Sequence, residues 1–126
     1  KQRFSKVYFL DLHSYGMNTG SDAIIGTQFG QTCSAAYSTT LQTLLEQEGL
    51  RVAENQPFAG GYLTKHYGAD AQIEAAQIEL SYAYYIDHRT FGREAFPEIC
   101  PAVFADAQQH LQSFFKNLLK EQMTCQ

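Results

Sequence analysis

An aspartate and a histidine close the first apolar stretch of the chain. Residues 7–10 have the composition of a buried strand, and Asp11 and His13 follow them two positions apart. Because side chains two residues apart on a strand point to the same face, Asp11 could orient the imidazole of His13. Neutral imidazole is the commonest zinc ligand, so His13 is a candidate metal ligand. The alternative is a strand-end histidine that bonds only to a neighbouring side chain.

A glutamate near the end of a second candidate strand is the main candidate for proton transfer. On a strand, Glu79 would share one face with Gln77. A carboxylate beside a metal-activated water can take its proton and pass it to a leaving amine. The alternative is a solvated glutamate on a helix face, a role to which Glu74 is better suited because it precedes the motif.

The segment 55–68 combines glycines, a proline and polar aromatic residues, which favours a long functional loop. Lys65 supplies a positive charge, and two consecutive glycines allow the backbone to approach a ligand closely. We therefore predict that the loop binds an anionic substrate; the alternative is a plain surface loop around a buried Phe58. The predicted binding residues are Asn55, Gly60, Gly61, Tyr62, Thr64, Lys65 and His66.

Two other residues invite a chemical interpretation. Cys33 precedes a predicted helix, whose N-terminus could lower the thiol pKa and create a nucleophile. The alternative is that Cys33 is a buried packing group. His110 lies at the edge of an apolar helix stripe and is predicted to be structural.

Alternating strands and helices must position these residues. Strands are predicted at 6–13, 23–27 and 50–54, and helices at 34–49 and 101–123. The first helix has Ser34 as a suitable N-cap and Gly49 as a suitable stop. The predicted apolar faces of the two helices contain Ala36, Leu41, Leu44 and Leu45, and Val103, Ala107, Leu111, Phe114 and Leu118. This order of elements predicts a layered α/β fold.

The segment 73–87 is ambiguous. Its alanines, glutamates and glutamines favour a helix, and intrinsic propensity alone predicts one. Ile78 and Leu80, however, alternate with polar residues as in a strand.

Composition limits the classes of protein to which the chain can belong. The 126 residues are 44% hydrophobic, with a net charge of −4 that is spread along the chain. We expect one folded domain, no nucleic-acid partner and no membrane span, because basic patches and long apolar runs are missing. Three widely spaced cysteines favour a reducing, cytoplasmic compartment over a disulfide framework. A start at Lys1, almost directly before a core strand, suggests a piece of a longer protein.

Four motifs resemble the N-formylglutamate amidohydrolase family over roughly residues 7–87. They are "DLHSYG", "GQTCSAA", "NQPFAGGYLTKHYG" and "AAQIEL", in the family's order and spacing. The resemblance implies a three-layer α/β/α fold with a mixed sheet, like that of zinc carboxypeptidases. It also implies a zinc-dependent amidohydrolase of histidine degradation that cleaves the formyl amide of N-formyl amino acids such as N-formylglutamate. In that family, His13 would be a zinc ligand and Glu79 the general base.

The resemblance further implies that residues 1–126 are the C-terminal portion of a single domain. The family's first metal ligands lie upstream, so an upstream half of the same protein would supply them. Several positions depart from the family pattern: Lys65 replaces an arginine, Thr27 and Gln28 replace an acidic-basic pair, Ser81 and Tyr82 replace Asn-Arg, and His88 replaces an acid. A non-catalytic relative that binds a small carboxylate ligand is therefore the alternative function.

Overall fold

A mixed four-stranded sheet with helices forms the part of the chain that the computed structural model describes, residues 5–86 and 99–124. The strands are β1 (Val7–Tyr15), β2 (Ala23–Gly26), β3 (Val52–Glu54) and β4 (Ile73–Ser81). The helices are α1 (Ala35–Gln47), α2 (Tyr62–Tyr67), α3 (Tyr82–Tyr85) and α4 (Pro101–Thr124). The predicted α/β fold with a mixed sheet is confirmed, whereas His88 lies outside the described residues.

The sheet has the strand order β1-β4-β2-β3, with β4 between β1 and β2. Strand β1 runs parallel to β4, and β2 runs parallel to β3, but β2 and β4 are antiparallel. The carboxyl ends of β1 and β4 therefore lie side by side at the same end of the sheet. In this register Asp11 is paired with Gln77, and His13 is paired with Glu79.

Strand β4 shows that the helix favoured by propensity in segment 73–87 is wrong for residues 73–81. The strand is hydrogen-bonded on both sides, and Ala75 and Ala76 are fully buried on opposite faces. Burial on both faces and hydrogen bonding to two neighbouring strands outweigh an intrinsic preference of a few tenths of a kcal/mol per residue. The alternation of Ile78 and Leu80 with polar residues was the correct signal.

One face of the sheet, which we call the apolar face, carries the core under α1 and α4. Ser34 caps α1 by accepting a hydrogen bond from the Tyr37 backbone N–H at 3.3 Å, as predicted. Ala36, however, is exposed and Tyr37 is buried in its place. Helix α4 confirms its predicted stripe, with Ala107, Phe114 and Leu118 buried, while the core as a whole consists of Ala23, Ile25, Tyr37, Leu41, Leu44, Leu45, Leu50, Ala76, Ile78, Phe114 and Leu118.

The opposite face, which we call the polar face, is covered by α2 and the segment before it. The prediction of a loop throughout 55–68 is wrong for residues 62–67, which form this short helix. Thr64 is fully buried, and the Tyr67 ring packs on Phe9 of β1 with centroids 4.6 Å apart. These contacts, rather than helix propensity, hold so short a helix in place. With α1 and α4 on one face and α2 on the other, the described elements form three layers.

No helix in residues 5–86 and 99–124 is long and apolar enough to cross a membrane.

Candidate active site

Four polar side chains meet on the polar face of the two parallel strands. They form what we call the polar cluster: Asp11, His13, Gln77 and Glu79. Because partners in a parallel register point to the same side, the pairs Asp11–Gln77 and His13–Glu79 project together toward the layer that contains α2. The structure therefore brings together the two residues that the sequence predicts as metal ligand and general base, from positions 66 residues apart (79 − 13).

The imidazole of His13 is oriented by Asp11, as the spacing predicts. His13 Nε2 lies 2.9 Å from Asp11 Oδ2, and the side chains are 46% and 14% exposed. Because a carboxylate only accepts, Nε2 carries a proton, and in the neutral imidazole the lone pair is then on Nδ1. A histidine held in this tautomer by a carboxylate is suited to metal ligation through its other nitrogen.

Glu79 is a buried carboxyl group, only 8% exposed. Burial raises its pKa above the usual range, and the Asp11 charge raises it further, while the His13 imidazole and a hydrogen bond from Gln77 lower it. A carboxylate with a raised pKa is better matched to proton transfer near neutral pH than an ordinary one. The alternative of a solvated glutamate on a helix is contradicted, because Glu79 lies in a buried strand.

Glu74, the residue expected to be solvated, is also buried, at 6% exposure. It lies on the apolar-face side of β4, accepts a hydrogen bond from the Ser34 backbone N–H, and forms an ion pair with Lys6. Glu74 can be buried because Lys6 supplies an opposite charge and the Ser34 backbone N–H supplies a hydrogen-bond donor. Glu74 therefore serves to fix the start of α1 and takes no part in the polar cluster.

The segment 59–61 lies directly on the sheet beside the polar cluster. The Gly61 backbone N–H donates to Gln77 Oε1 at 2.7 Å. A side chain at Gly26 of β2 would make this impossible, because its Cβ would stand 2.5 Å from Gly60 N. The side chain of Gln28 reinforces the arrangement by donating to the Gly60 carbonyl. The absence of a side chain at Gly26 therefore allows the glycine segment to reach Gln77.

The predicted binding residues divide into two groups. Tyr62, Lys65 and His66 are exposed on α2, where the rings of Tyr62 and His66 stack with centroids 5.6 Å apart. The Lys65 backbone N–H bonds to the Gly61 carbonyl, which places Lys65 one helical turn from Gly61. These residues form one segment with Gly60 and Gly61, and their role in substrate binding stays a prediction.

Asn55 and Thr64 differ from that group, because their side chains make contacts within the protein, and their contact with substrate stays a prediction. The Asn55 side-chain oxygen accepts from the backbone N–H of Thr27 at 2.8 Å and of Phe29 at 3.2 Å. Its amide group therefore organises the turn after β2. Thr64 is fully buried on the inner side of α2, where its side chain packs near Gly60. A hydrophobic contact of this kind is invisible in the composition of a polar segment.

Sequence reasoning missed two features of the site. Gln77 was noticed only as a neighbour of Glu79 on the strand, although it contacts both Glu79 and Gly61. Arg51 lies beside a polar cleft of about 310 Å³ at the carboxyl ends of β1 and β4. Its guanidinium is held by Asp22, with distances of 2.9 and 2.8 Å, and this pairing lowers the Asp22 pKa. Only alternation within β4 could have indicated Gln77, and nothing in the sequence indicated the Arg51 pair.

The described residues do not complete a metal centre. Within residues 5–86 and 99–124, no three or more His, Cys, Asp or Glu side chains are grouped so that they could hold a metal ion. His13 therefore offers one imidazole, whereas catalytic zinc usually has three protein ligands. The described residues can therefore supply one ligand to a zinc ion, but they do not by themselves form a complete zinc site.

The cysteine alternative is contradicted by the surroundings of Cys33. Burial raises the pKa of its half-buried thiol to about 11, and the nearby Glu74 and Glu54 charges raise it further. A nucleophilic cysteine needs a lowered pKa, so Cys33 stays a protonated packing group at neutral pH.

Comparison with known proteins identifies one family. The family model for N-formylglutamate amidohydrolase matches residues 1–86. An N-formylglutamate deformylase from Pseudomonas aeruginosa is 34% identical over 70 residues, which are 54% of this chain and 26% of that protein. The crystal structure of N-formylglutamate amidohydrolase from Ralstonia eutropha has the same fold, with a TM-score of 0.72 and 22% identity over 90% of this chain and 43% of that one. The chain thus matches less than half the length of either relative.

Proposed function

Because the chain belongs to the N-formylglutamate amidohydrolase family, we propose that it forms part of the active site of an enzyme that hydrolyses the formyl amide of N-formyl amino acids such as N-formylglutamate. The observation that carries the proposal is the pairing of His13 with Glu79 on adjacent parallel strands. These two residues share a polar face of a sheet whose other face is a hydrophobic core. Buried polar groups are costly unless they are partnered, so such a cluster is typical of a functional site.

Glu79 is the proposed general base. It accepts a proton from the attacking water while the water oxygen bonds to the formyl carbon. It then delivers that proton to the amine nitrogen as the C–N bond breaks, and formate and the free amino acid are released. The raised pKa of Glu79 favours this role, because the group holds a proton more tightly between the two steps than an ordinary glutamate does.

His13 is the proposed metal ligand, with Nδ1 as the ligating atom because Nε2 is occupied by Asp11. When bound, Zn²⁺ supplies Lewis-acid polarisation of the amide carbonyl and acidifies water. Residues outside this chain, from an upstream half of the same protein, are proposed to complete the ligand set. The position of His13 supports this, because β1 is the edge strand of the described sheet.

The segment 60–66 is the proposed carboxylate-binding element. Lys65 is exposed on α2, one turn from Gly61, and its ammonium group suits the α-carboxylate or side-chain carboxylate of a formyl amino acid. Lysine lacks the bidentate geometry of the arginine usual at this position in the resembled family, so its contact is a single charge-assisted hydrogen bond. Tyr62 and His66 supply neighbouring donors on the same short helix.

A second candidate function is carboxylate binding without catalysis. It is favoured by the incomplete metal centre of the described residues. Thr27 favours it as well. This residue stands where the resembled family has a charged side chain, but it is uncharged, fully buried and bonded to Asn55. The exposed Lys65 and the glycine segment would serve this function equally well.

Measurements of metal content and of turnover in the complete protein distinguish the two candidate functions. We expect about one zinc ion per chain and formate release from N-formylglutamate in the wild type. His13→Ala should lose both, whereas His110→Ala should retain both, because His110 contacts the Tyr84 hydroxyl at 3.1 Å in the α3–α4 layer. The 126-residue chain alone should purify largely free of metal. Stoichiometric zinc in the His13→Ala protein would refute the ligand assignment, and bound zinc without turnover would favour the binding function.

A further inference from the structure

The side chain of Gln77 bridges two parts of the proposed site. It is 4% exposed, and both of its polar atoms are used. Gln77 Nε2 donates to Glu79 Oε1 at 2.6 Å, and Gln77 Oε1 accepts from the Gly61 backbone N–H at 2.7 Å. One buried amide therefore connects the candidate base with the candidate substrate segment.

The orientation of this amide is determined by its partners. The Gly61 backbone N–H can only donate, so it must face the amide oxygen of Gln77. An ionised Glu79 can only accept, so it must face the amide nitrogen. Rotation of the amide by 180° would break both contacts, which gives Gln77 a single stable arrangement.

We propose that Gln77 is a positioning residue: it keeps Oε1 of Glu79 as an acceptor, leaves Oε2 to carry the transferred proton, and couples this carboxylate to the segment 59–61. The inference rests on the proposed function, because it assigns the atom through which that reaction would pass its proton. Placing the proton on Oε1 would weaken the bond from Gln77, since a protonated carboxyl oxygen is a poorer acceptor than a carboxylate oxygen. The proton therefore resides on Oε2, the oxygen that Gln77 does not hold.

The coupling follows from how closely the segment 59–61 lies on the sheet. Gly61 would place a Cβ 3.3 Å from Gln77 Oε1, so there is little room between the segment and the amide. A ligand that draws Gly61 toward Lys65 would therefore pull on Gln77 and alter its bond to Glu79. Substrate binding and the position of the Glu79 carboxylate are linked through one side chain.

The charged groups around Glu79 define what else affects its titration. Strand β1 carries Asp11 and His13, which are the nearby charges that shift the Glu79 pKa. Helix α2 carries Lys65 and His66, both exposed. The part of β2 that pairs with β4, residues 23–26, has no titratable side chain, and α3 has only tyrosines. Since all of these groups are the same in the wild type and in Gln77→Met, a changed pH profile of Gln77→Met reports on the lost Gln77 hydrogen bonds.

The first test is amide hydrogen exchange of the 126-residue chain, which needs no activity. Gln77→Met keeps the side-chain size but removes both bonds, so exchange of the Gly61 amide should accelerate. Gln77→Glu keeps an acceptor for Gly61, so the Gly61 amide should stay protected. Ile78→Val, a neighbour on the apolar face, is the matched control and should leave the exchange of Gly61 unchanged. Unchanged protection of Gly61 in Gln77→Met overturns the proposal.

The second test is steady-state kinetics of the complete protein. Gln77→Met should lower kcat about ten- to hundredfold, as expected for loss of a hydrogen bond to a charged group, and should also raise KM. Its acid limb in kcat/KM should move to higher pH. Gln77→Glu should move the same limb while leaving KM close to wild type, because the bond to Gly61 is kept. Equal KM changes in the two variants, or an unmoved acid limb in both, would overturn the coupling. A wild type without amidohydrolase activity would refute the proposed function, while the exchange of the Gly61 amide would still decide whether Gln77 holds the segment 59–61.

Discussion

The two faces of strand β4 are made by alternate residues of the same nine-residue strand. Ala76 and Ile78 point into the core under α1 and α4, whereas Gln77 and Glu79 point toward the layer that contains α2. On the apolar face, burial itself is stabilising. On the polar face, burial is tolerated because each group has a partner, as Gln77 has in Glu79 and Gly61.

The covering layers differ in the same way. Two long helices close the apolar face with side chains that fill space. A six-residue helix and a glycine segment close the polar face, and at Gly26 the backbone itself reaches the sheet. The apolar face therefore depends on side-chain volume, and the polar face depends on backbone approach and hydrogen bonds. Substitutions that change side-chain volume should therefore mainly affect the apolar face, and substitutions that remove polar or backbone contacts should mainly affect the polar face.

The largest expected effect is on the apolar face. Phe114 is 1% exposed in the centre of the core, so Phe114→Ala should lower the free energy of unfolding by about 3–5 kcal/mol. Leu119→Ala on the same helix, at a site 65% exposed, should change it by less than about 0.5 kcal/mol. Chemical denaturation measures both, and the His13 imidazole resonances of folded Phe114→Ala should stay unchanged. A loss below about 1 kcal/mol for Phe114→Ala would show that this face is not the principal core.

A smaller effect is expected where the polar face meets substrate. Lys65→Met in the complete protein should raise KM about ten- to hundredfold with little change in kcat, because a charge-assisted contact equal in ground and transition states affects binding only. Lys6→Met is the matched control, since Lys6 pairs with Glu74 on the other side of the sheet. N-formylglutamate and its diamide are the substrates to compare. Equal hydrolysis of the two by the wild type, or an unchanged KM in Lys65→Met, would mean that α2 does not bind carboxylates.

An effect of similar size, on stability rather than on substrate binding, is expected from the backbone approach at Gly26. Gly26→Ala places a Cβ against Gly60 N and should cost about 1–3 kcal/mol of stability through overpacking. Hydrogen exchange of the Gly61 amide should accelerate, because the bond to Gln77 is displaced. Ile25→Val, one residue away on the apolar face, should reduce stability without this local change. Retained protection of Gly61 in Gly26→Ala would mean that the segment 59–61 does not need the missing side chain.

Predictions from the sequence were correct where residues close in the chain determine the structure, and poor where contacts between distant segments determine it. The N-cap at Ser34, the stripe of α4 and the orienting role of Asp11 depend on residues close in the chain, and all three are confirmed. The helix α2 and the strand β4 were mispredicted because tertiary burial decides both. Thr64 is an example: it is a polar residue in sequence, and only its place on the inner side of α2 makes it a packing residue.

The site itself was predicted in part for the same reason. His13 and Glu79 were chosen from motif resemblance and strand-end position, and the register then placed them opposite each other. The bridge through Gln77 joins residues 16 and 2 positions apart, and no periodicity encodes the first of these contacts. Their proposed roles in catalysis and metal binding stay predictions.

The central claim is that the polar face of β4 supplies the base of a hydrolase, and turnover of the complete protein with Glu79→Gln tests it most directly. The amide is nearly isosteric with the carboxyl group but cannot take a proton, so kcat should fall by at least about a hundredfold with folding and metal content retained. Glu74→Gln, a buried carboxylate on the same strand but the other face, should keep wild-type kcat even if the protein unfolds more easily. Wild-type kcat in Glu79→Gln, measured beside an unchanged Glu74→Gln control, would contradict the account.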